Sequence, residues 1–379
     1  MDERYELTGN SYAIIDMEKL KSNVSKLKAH LGDGVKLLPV LKGNTCGHGL
    51  EEIAEYLITA CGLDMLCVGH TIEAERLRSH GIQCDILVLG GTPFSNIPFV
   101  VRQNITTTVG TLEYAKQLSD AAVAQNIKAK VHVKINTGLN RMGGKPGHDL
   151  EKFLREISTL PGLAIEGAYT HFANAADRDI SITQEQGRQF ETALAQIKAA
   201  GIELKYCHAA NSVAAIRFPQ YRYNMVRSLV AIIGYDGSPE EPNRLGLEPI
   251  LCWKAFVAQI NRVNAGERYG YGLQCTALRD MKIAISSFGY ADGYPDELAG
   301  NGGYVVIRGE KAEILSLNMD QGYIDVTHID DVQVGDDILL LGKDGGDEIS
   351  LLNFSKNSHN SGMFLLSAIN QRVRRVFKY

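Results

Sequence analysis

The 379-residue sequence lacks several features that would direct it to other classes of protein. It has no apolar run long enough to cross a bilayer, and its start, MDERYELTGN, contains no apolar signal segment. Its seven cysteines are odd in number and form no C-x-x-C pair, so neither a disulfide framework nor a metal site is predicted. A net charge of -5 gives no basic face for nucleic acid. We therefore expect a cytoplasmic protein with reduced thiols that binds neither a membrane nor nucleic acid.

Short apolar runs alternate with helical patterns through the first 240 residues. Continuous apolar runs bounded by turn residues are typical of parallel strands that are buried on both faces. Eight such runs occur, at residues 37–41, 65–69, 86–90, 105–109, 130–135, 164–171, 204–208 and 223–227. Eight strands alternating with helices predict a (β/α)8 TIM-like barrel, with a doubly wound open sheet as the alternative. The number of strands favours the barrel.

The composition changes after residue 240. The stretch SPEEPNRLGLEP (238–249) is a connector rich in proline, glycine and charge, and short strands separated by turn residues follow it. We therefore predict two domains, a barrel over residues 1–240 and a mostly β C-terminal domain over residues 241–379.

Polar residues stand where the predicted barrel strands end, and barrel enzymes build their sites at those ends. They are Lys42, Lys134, Arg141, His171, His208, Asn211, Ser212 and Arg227. Lys42, in LLPVLKGNTCGHGL (37–50), could simply extend to the surface, but the others favour a shared pocket. A lysine amine among cations has a lowered pKa and can form a Schiff base with an aldehyde such as pyridoxal 5'-phosphate. Ser212, at the head of a short helix, could bind the phosphate.

Several motifs resemble those of one enzyme family. They are PVLKGNTCGHG (39–49), VHVKINTGLNRMG (131–143), EGAYTHFANA (166–175), HAANS (208–212), YNMVR (223–227), YGYG (269–272), FGYADGYP (288–295) and NMDQGYIDVT (318–327). In this order and at these spacings they resemble the alanine racemase family, pyridoxal-phosphate enzymes built from a barrel and a C-terminal β domain. The resemblance covers nearly the whole chain.

The resemblance implies an amino-acid racemase that works as a homodimer with shared active sites. Lys42 matches the Schiff-base lysine, which is also one of two catalytic bases. Tyr271 matches the second base, which the partner subunit donates. Arg227 matches the residue that bonds the pyridine nitrogen, and His171 matches the histidine that links this arginine to the tyrosine. Two bases suit the reaction because racemisation removes the α-proton on one face and returns it on the other.

The resemblance also implies how the rest of the cofactor and the substrate are bound. Arg141 matches a residue that contacts the phenolic oxygen of the cofactor and the substrate carboxylate, and Lys134 matches a lysine that orients it and is often carbamylated. The other implied cofactor-binding residues are Asn211, Ser212, Leu229 and Val230, and the other implied substrate-binding residues are Met319, Tyr290 and Met363.

The sequence departs from the family at the phosphate and substrate ends of this site. Cys46 and Met363 stand where the family has tyrosines, and Ser228-Leu229-Val230 replaces Pro-Gly-Ile. Asn318 replaces a cysteine, and Asn136 replaces an aspartate. Because the catalytic residues are kept while their surroundings change, we expect racemisation of alanine, with serine or a larger amino acid as further candidate substrates.

Two other functions stay open at this point. A related pyridoxal-phosphate decarboxylase would share the architecture, but the sequence has no GGG phosphate loop and no CDGxD-like stretch. A non-catalytic pyridoxal-phosphate-binding protein would be a lone barrel, without the domain that carries Tyr271.

Overall fold

The computed structural model describes residues 9–238 and 243–379. The N-terminal residues 1–8 and residues 239–242 of the predicted connector therefore lie outside the described residues. The chain divides into two compact units. The barrel unit consists of Lys19–Thr45 and Leu50–Glu248, and the β unit consists of Met1–Glu18, Cys46–Gly49 and Pro249–Tyr379.

The first strand, β1 (Ser11–Asp16), belongs to the β unit. This assignment differs from the sequence prediction, in which the barrel includes all of residues 1–240. The strand β1 pairs antiparallel with the strand Leu251–Val263 and parallel with the strand Arg374–Lys378. Its side chains alternate between buried and half-buried, so that Ala13 and Ile15 enter the core. This alternation is typical of a strand with one buried face, unlike the continuously apolar strands of the barrel.

The barrel unit contains all eight predicted strands. They are β2 (Lys36–Pro39), β3 (Met65–Val68), β4 (Asp85–Val88), β5 (Thr106–Val109), β6 (Ala129–Lys134), β7 (Leu163–Tyr169), β8 (Tyr206–His208) and β9 (Met225–Ser228). Strands β3 to β8 form one sheet in chain order, and β2 pairs parallel with β9. The amide of Leu41 donates to the carbonyl of Cys67 at 2.7 Å, and that of Arg227 donates to the carbonyl of Ala210 at 3.0 Å. These bonds join the two sheets, and the (β/α)8 prediction is confirmed.

Helices connect the barrel strands. They are α1 (Met17–Leu31), the one-turn α2 (Lys42–Cys46), α3 (Glu51–Thr59), α4 (Thr71–Ser79), α5 (Ile97–Arg102), α6 (Leu112–Ala124), α7 (His148–Ser158), α8 (Ser181–Ala199) and α9 (Ser212–Arg217). In α1, Leu20, Val24 and Leu27 are buried because spacings of four and three residues place them on one helical face. No helix within the described residues is long and apolar enough to cross a membrane.

The β unit is a mostly antiparallel sheet of nine strands. Its further elements are β10 (Leu251–Val263), β11 (Arg268–Tyr269), β12 (Cys275–Thr276), β13 (Met281–Ser286), β14 (Tyr304–Ile307), β15 (Glu310–Leu317), β16 (Gly322–Asp325), β17 (Asp337–Asp344), β18 (Asp347–Ile349), α10 (Leu351–Ser355), α11 (Gly362–Ala368) and β19 (Arg374–Lys378). The sheet order is β18-β17-β14-β15-β16-β13-β10-β1-β19, and β17 also pairs with β10, which closes six of these strands into a barrel. Trp253 is fully buried in its core and donates to the Ser11 hydroxyl at 2.7 Å.

Candidate active site

Arg227, on β9, is a buried cation at the centre of the barrel unit. Its Nη1 donates to Nδ1 of His208 at 2.8 Å, and its Nη2 donates to the carbonyls of Thr170 at 2.8 Å and Ala209 at 2.9 Å. The guanidinium lies 5.3 Å from the ring centroid of Tyr169. Among the described residues, no carboxylate pairs with it and its Nε–H has no acceptor. This N–H is therefore available to an acceptor on a bound molecule.

The hydrogen bonds of Arg227 fix the tautomers of the surrounding histidines. An arginine can only donate, so Nδ1 of His208 accepts and its Nε2 carries a proton, which it donates to Nδ1 of His132 at 2.9 Å. Nδ1 of His171 likewise accepts from Arg227, at 3.4 Å, which leaves a proton on Nε2. Burial and the charge of Arg227 lower the pKa of His171 to about 2 and that of His132 to about 3. Burial lowers the pKa of His208 as well, so all three histidines are neutral near pH 7.

Four basic side chains act electrostatically on His171. After burial, the causes that lower its pKa are the charges of Arg227, Arg141, Lys134 and Lys42, in that order. Arg141 and Lys42 are exposed, whereas Lys134 and Arg227 are buried. Such a concentration of positive charge around a neutral histidine attracts an anionic ligand.

Lys134, at the end of β6, has an altered basicity. Its Nζ donates to the carbonyl of Ile135 at 3.0 Å and lies 4.8 Å from the ring centroid of Tyr169. Burial, followed by the charges of Arg227 and Arg141, lowers the pKa of Lys134 to about 7. A large share of this amine is therefore unprotonated and nucleophilic under physiological conditions.

We expect Lys134 to form a carbamate with dissolved carbon dioxide. With a pKa of about 7, the free amine exceeds the ammonium roughly tenfold at pH 8. Protein incubated with ¹³C-bicarbonate should show a carbamate signal by NMR that fades as the pH falls below 7, because the ammonium cannot attack. The signal should disappear in Lys134→Arg and persist in the control Lys128→Arg, which changes an exposed lysine. A signal that survives in Lys134→Arg would contradict the assignment.

Lys42 stands at the start of a left-handed turn. The φ angles of Gly43, Asn44, Thr45 and Cys46 are 64°, 55°, 53° and 48°. The amide of Thr45 donates to the carbonyl of Leu41 at 2.9 Å, which closes the turn. Non-glycine residues adopt this conformation as isolated positions, so three in succession after one glycine are strained. The strain is held directly beside the predicted Schiff-base lysine.

The glycine-rich sequence after this turn reflects close packing inside the β unit. Gly47 has a φ of 80°, and a Cβ atom added there would lie 2.1 Å from the carbonyl oxygen of Leu366. Its own carbonyl accepts from Nε of Arg375 at 2.8 Å. These contacts explain why Cys46–Gly49 belongs to the β unit, whereas the sequence placed it in the barrel.

Hydroxyl and amide groups gather around Ser212, the first residue of α9. Its Oγ accepts from the amides of Leu229 at 3.1 Å and Ala231 at 3.4 Å and lies 3.2 Å from Oγ of Ser228. Among the described residues, the amide of Val230 has no acceptor. The structure thus brings the predicted phosphate ligands Ser212, Leu229 and Val230 together.

Three residues around the predicted ligands have roles that the sequence did not indicate. Asn211, predicted to bind the cofactor, caps α9, because its Oδ1 accepts from the amide of Ala214 at 3.0 Å. Ser228, noted in the sequence only as a departure, adds a hydroxyl beside Ser212. The sequence reasoning also missed His132, although it shares a face of β6 with Lys134, two residues on.

Four predicted site residues lie in the β unit, and two of them are on neighbouring loops. Tyr271 is 86% exposed and begins a 3₁₀ turn, Tyr271–Leu273. Tyr290 and Met319 lie on adjacent loops, because the amide of Tyr290 donates to the carbonyl of Asn318 and that of Ala291 donates to the carbonyl of Met319, both at 3.0 Å.

Met363 is half-buried on α11. Within the described part of the chain, no hydrogen bond joins Met363 or Tyr271 to the loops of Tyr290 and Met319.

Known proteins resemble both units. Residues 15–236 match the family model for the alanine racemase N-terminal domain, and residues 250–377 match that for the C-terminal domain. The alanine racemase of Halothermothrix orenii is 35% identical over 98% of each chain. That of Methanococcus maripaludis is 32% identical over 97% of this chain and 98% of the relative.

Solved structures of similar proteins agree with these matches. The alanine racemase of Clostridium difficile 630 superposes with a TM-score of 0.93 at 31% identity, over 98% of this chain and 97% of that one. A structure of alanine racemase from Bacillus anthracis with bound L-Ala-P superposes with a TM-score of 0.92 at 29% identity, over 99% of this chain and 96% of that one.

Proposed function

The chain belongs to the alanine racemase family of pyridoxal-phosphate-dependent isomerases, and from this premise we propose that it interconverts L- and D-alanine by a two-base mechanism. Lys42 and Tyr271 are the two bases, and a homodimer shares its active sites between subunits. The observation that carries the proposal is the buried Arg227, whose Nε–H has no acceptor among the described residues and whose guanidinium donates to a neutral His171.

The groups of the barrel unit fit pyridoxal phosphate part by part. The Nε–H of Arg227 can donate to the pyridine nitrogen. The hydroxyl of Ser212, which the amide of Leu229 holds in place, and the amide of Val230, which has no acceptor among the described residues, can bind the phosphate. Arg141 supplies positive charge for the phenolic oxygen and the substrate carboxylate. When bound, the cofactor supplies a conjugated ring that takes up the electron pair left by the departing α-proton.

The residues of this chain set the properties of that ring and move the proton. Arg227 does not surrender its own proton, so the ring nitrogen stays largely neutral, which limits side reactions such as transamination. Nζ of Lys42 serves one face of the α-carbon, and the phenolic oxygen of Tyr271 serves the other. The proton on Nε2 of His171 is available to hydrogen-bond that phenolic oxygen.

A direct assay tests the proposed function. The purified protein is incubated with pyridoxal phosphate and L-alanine, L-serine or L-arginine, while optical rotation and CO2 release are followed. Loss of optical rotation without CO2 supports a racemase. Release of CO2 would instead identify a decarboxylase, and cofactor binding without turnover would identify a binding protein.

We expect the amino-acid preference to be broad. Methionine at position 363 has three rotatable bonds and makes the wall beside the substrate side chain more deformable than a tyrosine would. Because a size-selective pocket gains only about 1–3 kcal/mol per methylene, alanine should lead serine and at least one larger amino acid by less than roughly 100-fold in kcat/KM. Steady-state kinetics on each substrate measure this ratio.

Two replacements and one control test whether Met363 broadens the substrate preference and whether Cys46 weakens cofactor binding. Met363→Tyr should shift the preference back toward alanine, whereas Leu352→Tyr, on the exposed surface of α10, should leave it unchanged. Cys46→Tyr should mainly tighten cofactor binding by restoring a phosphate donor. A strict preference for alanine in the unmodified protein would show that neighbours such as Leu229 or Asn318 fill the extra space.

A further inference from the structure

One buried carboxylate of the barrel unit, that of Glu73, takes no part in the proposed reaction. Glu73 is the third residue of α4 and only 8% exposed. Its Oε1 accepts from the amide of Gly43 at 2.6 Å, and its Oε2 accepts from the amides of Gly69 at 2.8 Å and His70 at 3.0 Å. Among the described residues, no lysine or arginine forms an ion pair with it. One carboxylate therefore binds three backbone donors in two separate segments.

Helix capping explains only part of this arrangement. A glutamate at the third helical position commonly accepts from the amide of the N-cap residue, here His70, and its charge is stabilised by the helix dipole. Gly43, however, lies 30 residues before Glu73 in the sequence and takes no part in that helix. It is the residue directly after Lys42 and the first of the left-handed turn.

The second segment bound by Glu73 also contacts Lys42. A Cβ atom added to Gly69 would lie 3.1 Å from Cβ and 3.7 Å from Cδ of Lys42, so the aliphatic stem of the lysine lies along this glycine. Glu73 thus binds the backbone that follows Lys42 and also the backbone on which its side chain rests.

We propose that Glu73 is a positioning residue, whose carboxylate holds the left-handed turn and Gly69 in place so that Nζ of Lys42 is presented to the cofactor aldehyde. The inference rests on the proposed role of Lys42. The carboxylate also offsets the strain of the turn, because a charged acceptor bonds backbone N–H groups more strongly than a neutral one does.

The variant Glu73→Gln separates this role from capping. Its amide keeps one acceptor oxygen, which can stay on the side that faces the two donors, Gly69 and His70. The NH2 group then faces the amide of Gly43, donor against donor, so the helix cap remains while the bond to the turn is lost. The matched control is Thr111→Ala, which removes the cap of α6, where Oγ1 accepts from Tyr114 at 3.4 Å, far along the chain from Lys42.

The test measures how fast Lys42 of the apo-protein forms a Schiff base with pyridoxal 5'-phosphate. Samples taken at intervals are reduced with borohydride, which converts the Schiff base to a stable secondary amine that is then quantified. Glu73→Gln should be slower by about tenfold to a hundredfold, the range that loss of one charge-assisted hydrogen bond produces. Its kcat should fall more than its KM changes, while thermal unfolding shifts no more than in the control. Thr111→Ala should be labelled at the wild-type rate.

The outcomes separate this inference from the proposed function. If the wild-type protein is not labelled on Lys42, the proposed function fails. If it is, and Glu73→Gln is labelled equally fast, the positioning role of Glu73 is overturned. Should Glu73→Gln not fold, Gly69→Ala replaces it, because the added Cβ would lie 3.1 Å from Cβ of Lys42 and 3.3 Å from Oε2 of Glu73 and so disturbs both the lysine stem and the carboxylate that holds its support. Labelling of Gly69→Ala at the wild-type rate would then overturn the role.

Discussion

Lys42→Ala should abolish racemisation and leave a protein that binds pyridoxal phosphate only non-covalently. The change removes the amine that is proposed both to bond the cofactor and to serve as one of the two bases. Loss of a general base alone costs about 10²–10⁴-fold in rate, and loss of the covalent attachment adds to this. Borohydride reduction of the wild-type holoenzyme, followed by peptide mapping, should find the pyridoxyl group on Lys42.

The control for this experiment is Lys128→Ala, which removes an exposed lysine. It should keep the visible colour of the cofactor, the label on Lys42 and full activity. A label on another lysine in the wild-type protein would refute the assignment, as would covalently retained cofactor in Lys42→Ala.

The barrel could be predicted from the sequence because its strands are local patterns. A strand buried on both faces needs a continuous apolar run, and the run at 65–69, for example, became β3 with all four residues buried. The predicted strand ends differ from the observed ones. His171 was placed at the end of a strand, but β7 ends at Tyr169 and His171 follows it.

The departures from the predicted domains depend on partners distant in sequence. Nothing within Ser11–Asp16 specifies that it pairs with β10 and β19, more than 200 residues further on. The requirement for glycine at position 47 likewise comes from the carbonyl of Leu366. Local patterns carry no information on such contacts, so a boundary drawn from a change in composition cannot place these segments.

The site could be predicted only in part, because local patterns place the strand ends but not the hydrogen bonds between distant residues. Rules about strand ends bring Lys134, His171 and Arg227 together, and they lie together in the structure. The proton positions on the histidines can be assigned only from the hydrogen bonds in the structure, since the donors of Arg227 fix which nitrogen of His208 carries the proton. In the sequence, Glu73 has only the pattern of a glutamate in the first turn of a helix. Its hydrogen bond to Gly43, the residue after Lys42, is visible only in the structure.

Tyr271→Phe should be nearly inactive, because it keeps the ring and removes the hydroxyl that is proposed to serve one face of the α-carbon. A loss of about 10²–10⁴-fold in kcat is expected for a missing general acid–base group, with the cofactor still bound to Lys42. The matched control is Tyr379→Phe, which changes another exposed tyrosine of the β unit and should stay active. Steady-state kinetics in both reaction directions measure the effect.

Mixing the two inactive variants tests whether the active site is shared between subunits. If Tyr271 is donated across a dimer interface, Lys42→Ala and Tyr271→Phe proteins that are unfolded together and refolded should regain roughly one quarter of wild-type activity. Random pairing makes half of the dimers hybrids, and each hybrid contains one intact site and one site that lacks both groups. Each variant refolded alone should stay inactive. If confirmed hybrid dimers show no recovery, Tyr271 acts within its own chain or takes no part, whatever the outcome for Lys42.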